Sequence, residues 1–404
     1  MKYKKPIFIY SDIFEKYRYP RDHIFTTQRA IKTRNLLKSL GLLDGACGME
    51  KAPRRAAESE ITRFHAPAYL KAVKEAAAGK RTDQRPVMGL GTSDCPIFKD
   101  MFEYAAWSCG GTLTGAEMIL AGDADIVFNP SGGFHHAQAD RASGFCYFND
   151  LVLSCLRFVD HGKKVLYLDL DAHHGDGVQN AFYRSDNVLM ISLHESGKTL
   201  FPYSGFENEI GEGRGKGFTI NIPMPAGTCD KSYLRAFENI VVPLIPTFQP
   251  DVFVLQLGMD ALAGDALAHL ELSNNAHAEI VARIMRYQKP MLATGGGGYH
   301  IEHTTRSWAL MWEIMCGRET EAELAMGLGG TLLQSTEWAG GLRDRTLATN
   351  DTFCREVDAA IDKTTRYLRH HIFPLHGITR NDETARTQRD NSKFNFHHSK
   401  LISP

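Results

Sequence analysis

No two of the eight cysteines, at positions 47, 95, 109, 146, 155, 229, 316 and 354, form a CxxC pair. That scatter excludes a zinc knuckle and gives no disulfide framework. It suits a reducing compartment, where most such thiols are buried as small apolar side chains. Excess charge of either sign is also missing. With 46 Lys and Arg against 47 Asp and Glu, the formal charge is −1, which gives no pull towards nucleic acid or an anionic membrane. No apolar run is long enough to cross a bilayer, and the short one near the N-terminus turns polar by Ser11, too soon for a signal peptide. No repeat, linker or low-complexity block divides the 404 residues. These absences predict a cytoplasmic protein of one domain, with no nucleic-acid or membrane partner.

Hydrophobic residues make up 43% of the chain, ample for a large core. Short apolar runs at 6–10, 124–128, 165–168, 188–193, 218–222, 251–260 and 290–294 read as strands. Helical patterns fill 26–43, 67–78, 98–121, 149–159, 178–184, 232–244, 276–288, 305–316 and 352–371. Strands alternating with helices predict an α/β fold: a single-domain, three-layer αβα sandwich with a mostly parallel central sheet. The last residues, 376–404, are polar and aperiodic and predict a loose tail behind a domain of residues 1–375.

One stretch organises the rest: KVLYLDLDAHHGDGV, residues 164–178. It starts as a strand apolar on both faces, then places Asp169, Asp171 and His173 two residues apart before breaking at Gly175. Side chains at spacing two on an extended segment share a face, so three metal-competent groups converge at the strand's carboxyl end. Open α/β sheets build their ligand sites at that end.

Three further strands finish in reactive residues. His135 and His136 follow one, Asp260 another, and Tyr299 follows the run of four glycines after the last. Singly, each has a plain explanation as a hydrogen-bonding histidine pair, a cap or an aromatic plug. Arg29, at the start of a helix, reads as a solvated or capping charge. Together the strand ends would line one rim of one sheet. Asp171, His173 and Asp260 would then make a three-ligand metal site with open positions, as catalytic zinc requires. His135 and His136 are candidate bases, Asp169 and Asp176 can orient them, and Tyr299 offers a hydroxyl to an oxyanion.

Four segments, PSGGFHHAQADRASGFCYFND, DLDAHHGDGV, LQLGMDALAGD and GGGGY, together resemble the zinc-dependent histone deacetylase family, in particular its bacterial acetoin-utilisation and class I branches. The likeness runs from about residue 6 to 375 in the family's order and spacing. It implies the arginase–deacetylase αβα sandwich and hydrolysis of acetyl or related acyl groups from the side-chain amine of lysine. It implies one zinc on Asp171, His173 and Asp260, with His136 as general base backed by Asp176. His135 would be its electrostatic neighbour, paired with Asp169, and Tyr299 would polarise the carbonyl. Gly144, Phe145, Phe201 and Leu267 match the walls of an acyl-lysine tunnel, and Arg29 matches an arginine of an inner acetate cavity. One or two structural potassium ions are implied: Asp169, Asp171, His173, Ser192 and Leu193 match one site, and Phe182, Ser185, Val188 and Phe218 a second.

Two segments depart from the pattern. HIFTTQR (23–29) alters the loop near the inner cavity, and GKRTDQRPVMGLG (79–91) offers only Asp83 for a rim aspartate that binds substrate. Small acetylated amines such as polyamines are the alternative substrate. A binuclear manganese centre is disfavoured, because GMDALAGD lacks a DxD. A non-catalytic acyl-lysine reader would need a missing ligand, base or tyrosine, and none is missing. The oligomeric state is not legible.

Overall fold

The computed structural model describes residues 3–80, 86–318, 328, 331, 341–345 and 351–379. Among these, eight strands form one sheet: β1 (Ile7–Ile9), β2 (Met49–Lys51), β3 (Ile126–Asn129), β4 (Val165–Asp169), β5 (Val188–Glu195), β6 (Thr219–Met224), β7 (Val252–Gln256) and β8 (Met291–Thr294). Their order is β2-β1-β3-β8-β7-β4-β5-β6, and every neighbouring pair is parallel. The described helices are α1 (Gln28–Ser39), α2 (Glu58–Ile61), α3 (Pro67–Ala77), α4 (Met101–Ala121), α5 (Asp150–Asp160), α6 (Asp176–Phe182), α7 (Asp230–Phe248), α8 (Asn274–Met285), α9 (Ile301–Met315) and α10 (Asp351–His371). None of them is long and apolar enough to cross a membrane.

A parallel sheet flanked by crossover helices is buried on both faces, and its strands must be apolar on both. Residues of β4 alternate accordingly. Leu166 and Leu168 join one core with side chains of α1, α7, α8, α9 and α10, while Val165 and Tyr167 join another with α4, α5 and α6. Each fully buried Val or Leu contributes about 1.5–3 kcal/mol. The three layers expected from the sequence are therefore present. A third, aromatic cluster combines Tyr17, Tyr19 and Phe25 with α3, α4 and residues 134–148.

The topology places the site. Strands β3, β8, β7 and β4 are contiguous in the sheet and parallel, so the loops leaving their carboxyl ends share one rim. Those loops contain the histidine pair, the glycine run, Asp260 and the Asp171/His173 segment. Asn149 ties the first loop down. Its Oδ1 caps α5 by accepting from Val152 N–H at 3.0 Å, and its Nδ2 donates to the carbonyls of His135 (3.2 Å) and Ala137 (3.0 Å).

Three expectations need adjusting. β4 ends at Asp169, so Asp171 and His173 lie in the loop beyond it and do not share a strand face. The edge strand β2 was not expected, since Met-Glu-Lys shows no apolar pattern. The boundary expected after residue 375 falls within a turn, Phe373–His376, and Ile378 still packs into the core; residues 380–404 lie outside the described set.

Candidate active site

Asp171, His173 and Asp260 are buried, with one donor atom from each within 4.8 Å of the others. His173 Nδ1 faces both carboxylates, at 3.1 Å from Asp171 Oδ1 and 2.9 Å from Asp260 Oδ2. A turn makes this possible, because Asp171 Oδ1 also accepts the backbone N–H of His173 at 3.0 Å. The second oxygens are occupied from behind. Asp171 Oδ2 accepts from Gln256 Nε2 (2.7 Å) and Gly297 N–H (2.8 Å), and Asp260 Oδ1 from Ala172 N–H (2.9 Å). The glycine run permits the close approach, since a Cβ on Gly297 would lie 1.9 Å from Asp260 Oδ2.

Burial disfavours charge here, and the charge on Asp171 adds to it in pushing Asp260 up. His173 feels burial in the opposite sense, but its two carboxylates outweigh it and raise it to about 10. A divalent cation fits the same donor set, two carboxylate oxygens and one imidazole nitrogen converging with their outer atoms held.

The histidine pair lies beside this cluster. His135 Nδ1 donates to Asp169 Oδ2 at 2.9 Å, an oxygen that also accepts the Tyr167 hydroxyl at 2.5 Å. His136 Nδ1 bonds Asp176 Oδ1 at 2.7 Å, and Gln138 Nε2 holds the other oxygen at 2.8 Å. Burial opposes charge on His135, yet Asp169 and Asp171 outweigh it and raise the ring to about 9. Burial, then His135 and His173, push His136 well below the ordinary histidine range. His136 is therefore the neutral member, with its proton on Nδ1 and its lone pair on Nε2.

Tyr299 is positioned by backbone. Its N–H donates to Asp265 Oδ2 at 2.8 Å, and the other oxygen of Asp265 accepts Leu267 N–H at 2.9 Å, which links the tyrosine to Leu267. The Tyr299 ring meets that of Phe145 at 5.7 Å. Across from them, Phe201 lies 5.0 Å from the His136 ring and 6.4 Å from that of His173. Gly144 comes so near that a Cβ there would be 3.0 Å from the Phe201 ring. Phe145 has φ 67°, and the Tyr19 hydroxyl secures it by donating to its carbonyl at 2.8 Å.

Arg29 corrects one expectation. It is buried, not solvated: its guanidinium donates to Gly298 O at 2.8 Å and lies 4.6 Å from Phe25 and 5.2 Å from Trp308. It lines, with Thr26, Thr27 and Tyr104, an interior space of about 10 Å³, room for no more than one water. Of the residues matched to potassium, Asp169 and Ser192 are partners across β4 and β5. The carbonyls of Phe182 and Phe218 already accept N–H groups of Ser185 and Met190, both at 2.9 Å. A cation would use their second lone pairs.

Asp83 lies outside the described residues. The exposed Asp94 is linked to Phe145 through His23, whose Nε2 donates to the Asp94 carbonyl (3.3 Å) and whose ring packs 4.9 Å from Phe145. Gln256 and Tyr167 were also missed by sequence reasoning. Gln256 did leave a signal, as a lone amide closing a strand otherwise apolar and buried.

A family model described as histone deacetylase domain matches residues 23–315. The chain is 39% identical over 327 residues to the acetoin utilization protein AcuC of Bacillus subtilis, covering 79% of this chain and 84% of that protein. It is 36% identical over 298 residues to histone deacetylase 8 of Xenopus tropicalis, covering 74% and 80%. A crystal structure of a histone deacetylase homologue from Aquifex aeolicus matches with a TM-score of 0.82 at 33% identity, over 91% of this chain and all of that one. Fold and rim thus define the arginase–deacetylase class of αβα enzymes. Within it, the chain belongs to the histone deacetylase family.

Proposed function

We propose that this protein is a zinc-dependent amide hydrolase that removes acetyl or related acyl groups from lysine side chains. One observation carries the reading: an Asp–His–Asp cluster with converging donors stands beside a carboxylate-backed neutral histidine, with the Tyr299 and Phe201 rings around them. Asp171, His173 and Asp260 would hold one zinc per chain. When bound, zinc supplies Lewis acidity, which polarises an acyl carbonyl and acidifies water.

The residues of the chain do the rest. His136 accepts a proton from the attacking water at Nε2, with Asp176 stabilising the charge that results. Tyr299 donates its hydroxyl to the oxyanion of the tetrahedral intermediate; burial pushes that phenol well above its ordinary range, so it remains a donor. His136 then returns the proton to the departing amine. Gly144, Phe145, Phe201 and Leu267 enclose the methylene chain, which suits a substrate that is neutral until the acyl group leaves. Asp94, exposed and linked to Phe145 through His23, can accept from the substrate backbone.

Potassium would add structural charge beneath the site at one or both carbonyl clusters. Cys47, Cys95, Cys109, Cys146, Cys155, Cys229 and Cys316 are free thiols, which supports a cytoplasmic location.

The deciding experiment profiles purified protein against acetyl-lysine peptides, longer acyl-lysines and acetylpolyamines. Preferential turnover of acyl-lysine peptides is expected. Preference for acetylpolyamines would replace the substrate assignment, and absence of turnover on every amide would overturn the hydrolase reading.

A further inference from the structure

Residues 196–212, which carry Phe201, contain no helix or strand of their own. A turn closed by Tyr203 N–H on the Leu200 carbonyl, 3.1 Å, projects the phenylalanine, and side chains hold Ser204, Gly205 and Phe206 from beneath. Glu209 Oε1 accepts the backbone N–H groups of Gly205 and Phe206, each at 3.0 Å, and Oε2 accepts from Gln179 Nε2 at 2.6 Å. With its NH2 committed, Gln179 turns Oε1 to His174 Nε2 at 3.0 Å and to Asn221 Nδ2 at 2.7 Å. An amide oxygen only accepts, so His174 carries its hydrogen on Nε2. Its Nδ1, 2.9 Å from Ser204 Oγ, accepts from that hydroxyl.

The hydrogen bonds leave the loop at Ser204, pass through His174 and Gln179, and re-enter it at Glu209, whose carboxylate closes on Gly205. The ring is closed, and each joint has one polarity. The loop also lies directly on its base: a Cβ on Gly205, whose φ is +81°, would stand 2.5 Å from both the His174 and His194 rings. His174, Gln179 and Asn221 are buried, where such a network is worth more than its bonds taken singly.

We propose that this ring is a positioning device that fixes Phe201 over His136 and thereby sets the bore of the tunnel for the substrate's methylene chain. The inference deepens the acyl-lysine reading and rests on it. Ser204, His174, Gln179 and Glu209 are positioning residues that act through Phe201 and do not touch the reacting atoms.

The polarity of the ring supplies the test. Glu209→Gln sets an NH2 against the NH2 of Gln179, and Gln179→Glu sets carboxylate against carboxylate. Each breaks one joint with almost no change of shape. Combining the two substitutions reverses that joint and restores every bond: the new amide at 209 still accepts from Gly205 and Phe206 and donates to the new carboxylate at 179, which still accepts from His174 and Asn221. Net charge is unchanged in the double variant.

Two hydroxamates separate the tunnel from the metal cluster in the full-length holoenzyme. One bears a linear apolar linker and needs the walls, whereas acetohydroxamate reaches only the ligands. Each single substitution should weaken the linear compound about tenfold, leave acetohydroxamate within about twofold, and speed amide exchange across residues 197–212. On an acetyl-lysine peptide KM should rise more than kcat falls. The double variant should return affinity and exchange to wild-type values. Single variants that change neither, or that weaken both compounds equally, would overturn the proposal, as would a double variant no better than its parents. A wild-type enzyme inert towards acetyl-lysine would sink the deacetylase reading instead, while exchange in the loop would still judge the ring.

Discussion

His135 Nε2 stands 2.9 Å from His136 Nε2, so the two cannot both carry a hydrogen towards each other. Asp169 and Asp171 outweigh burial and raise His135, whereas burial and the charges of His135 and His173 push His136 well down. The two rings are therefore not interchangeable. His136→Ala should lower kcat by about 10²–10⁴-fold, the usual contribution of a positioned base. His135→Ala should cost less, since it removes a neighbouring charge and leaves the base. Steady-state kinetics on an acetyl-lysine peptide decide this, and a larger loss in His135→Ala would reverse the assignment.

The metal cluster should bind about one zinc per chain, because three donors converge and their outer oxygens are taken by Gln256, Gly297 and Ala172. Asp260→Ala should lose that zinc in elemental analysis of purified protein. Two equivalents of manganese in the wild type, or full zinc in the variant, would refute this donor set.

Tyr299→Phe keeps the ring that packs on Phe145 and removes only the hydroxyl. If that hydroxyl meets the oxyanion, kcat should fall by about 10²–10³-fold, with KM and zinc content little changed. Wild-type turnover in this variant would reduce Tyr299 to a packing aromatic and shift the oxyanion role to His135.

His65 offers a prediction about acid stability. Its buried Nε2 accepts Asn149 N–H at 2.9 Å, and burial pushes the ring down to about 3 from 6.5. Below 6.5 the unfolded chain takes up a proton that the folded chain refuses. The stability contributed by this group is thus complete above 6.5 and is lost as pH falls towards 3. The slope is at most about 1.4 kcal/mol per pH unit. Urea denaturation should show a lower midpoint near pH ~5 than near pH ~7, and His65→Gln, whose amide oxygen can still accept, should narrow the gap. An identical pH dependence in that variant would exclude His65 as the titrating group.

Much of this molecule is dictated by local sequence. Runs such as Val165–Leu168 are apolar on both faces, which only a covered parallel sheet rewards, so the sandwich was legible from them. Strand β2 was not, because Met49, Glu50 and Lys51, exposed or half-buried, gain their conformation from pairing with β1 and not from their own pattern. The candidate ligands and bases were also legible, as reactive residues just past buried strands. Their meeting was not, since Asp171 and His173 approach through a turn in the loop, and Asp260 arrives from the neighbouring β7 only because β7 pairs with β4. Arg29 shows the same divide: its charge predicts solvent, and only the packing of α1 against α9 encloses it between Phe25 and Trp308. Residue types and spacing determined which groups this chain could bring to a reaction. Which lone pair points where was decided by tertiary contacts, because a hydrogen bond depends on distances of a few tenths of an ångström between segments far apart in the chain.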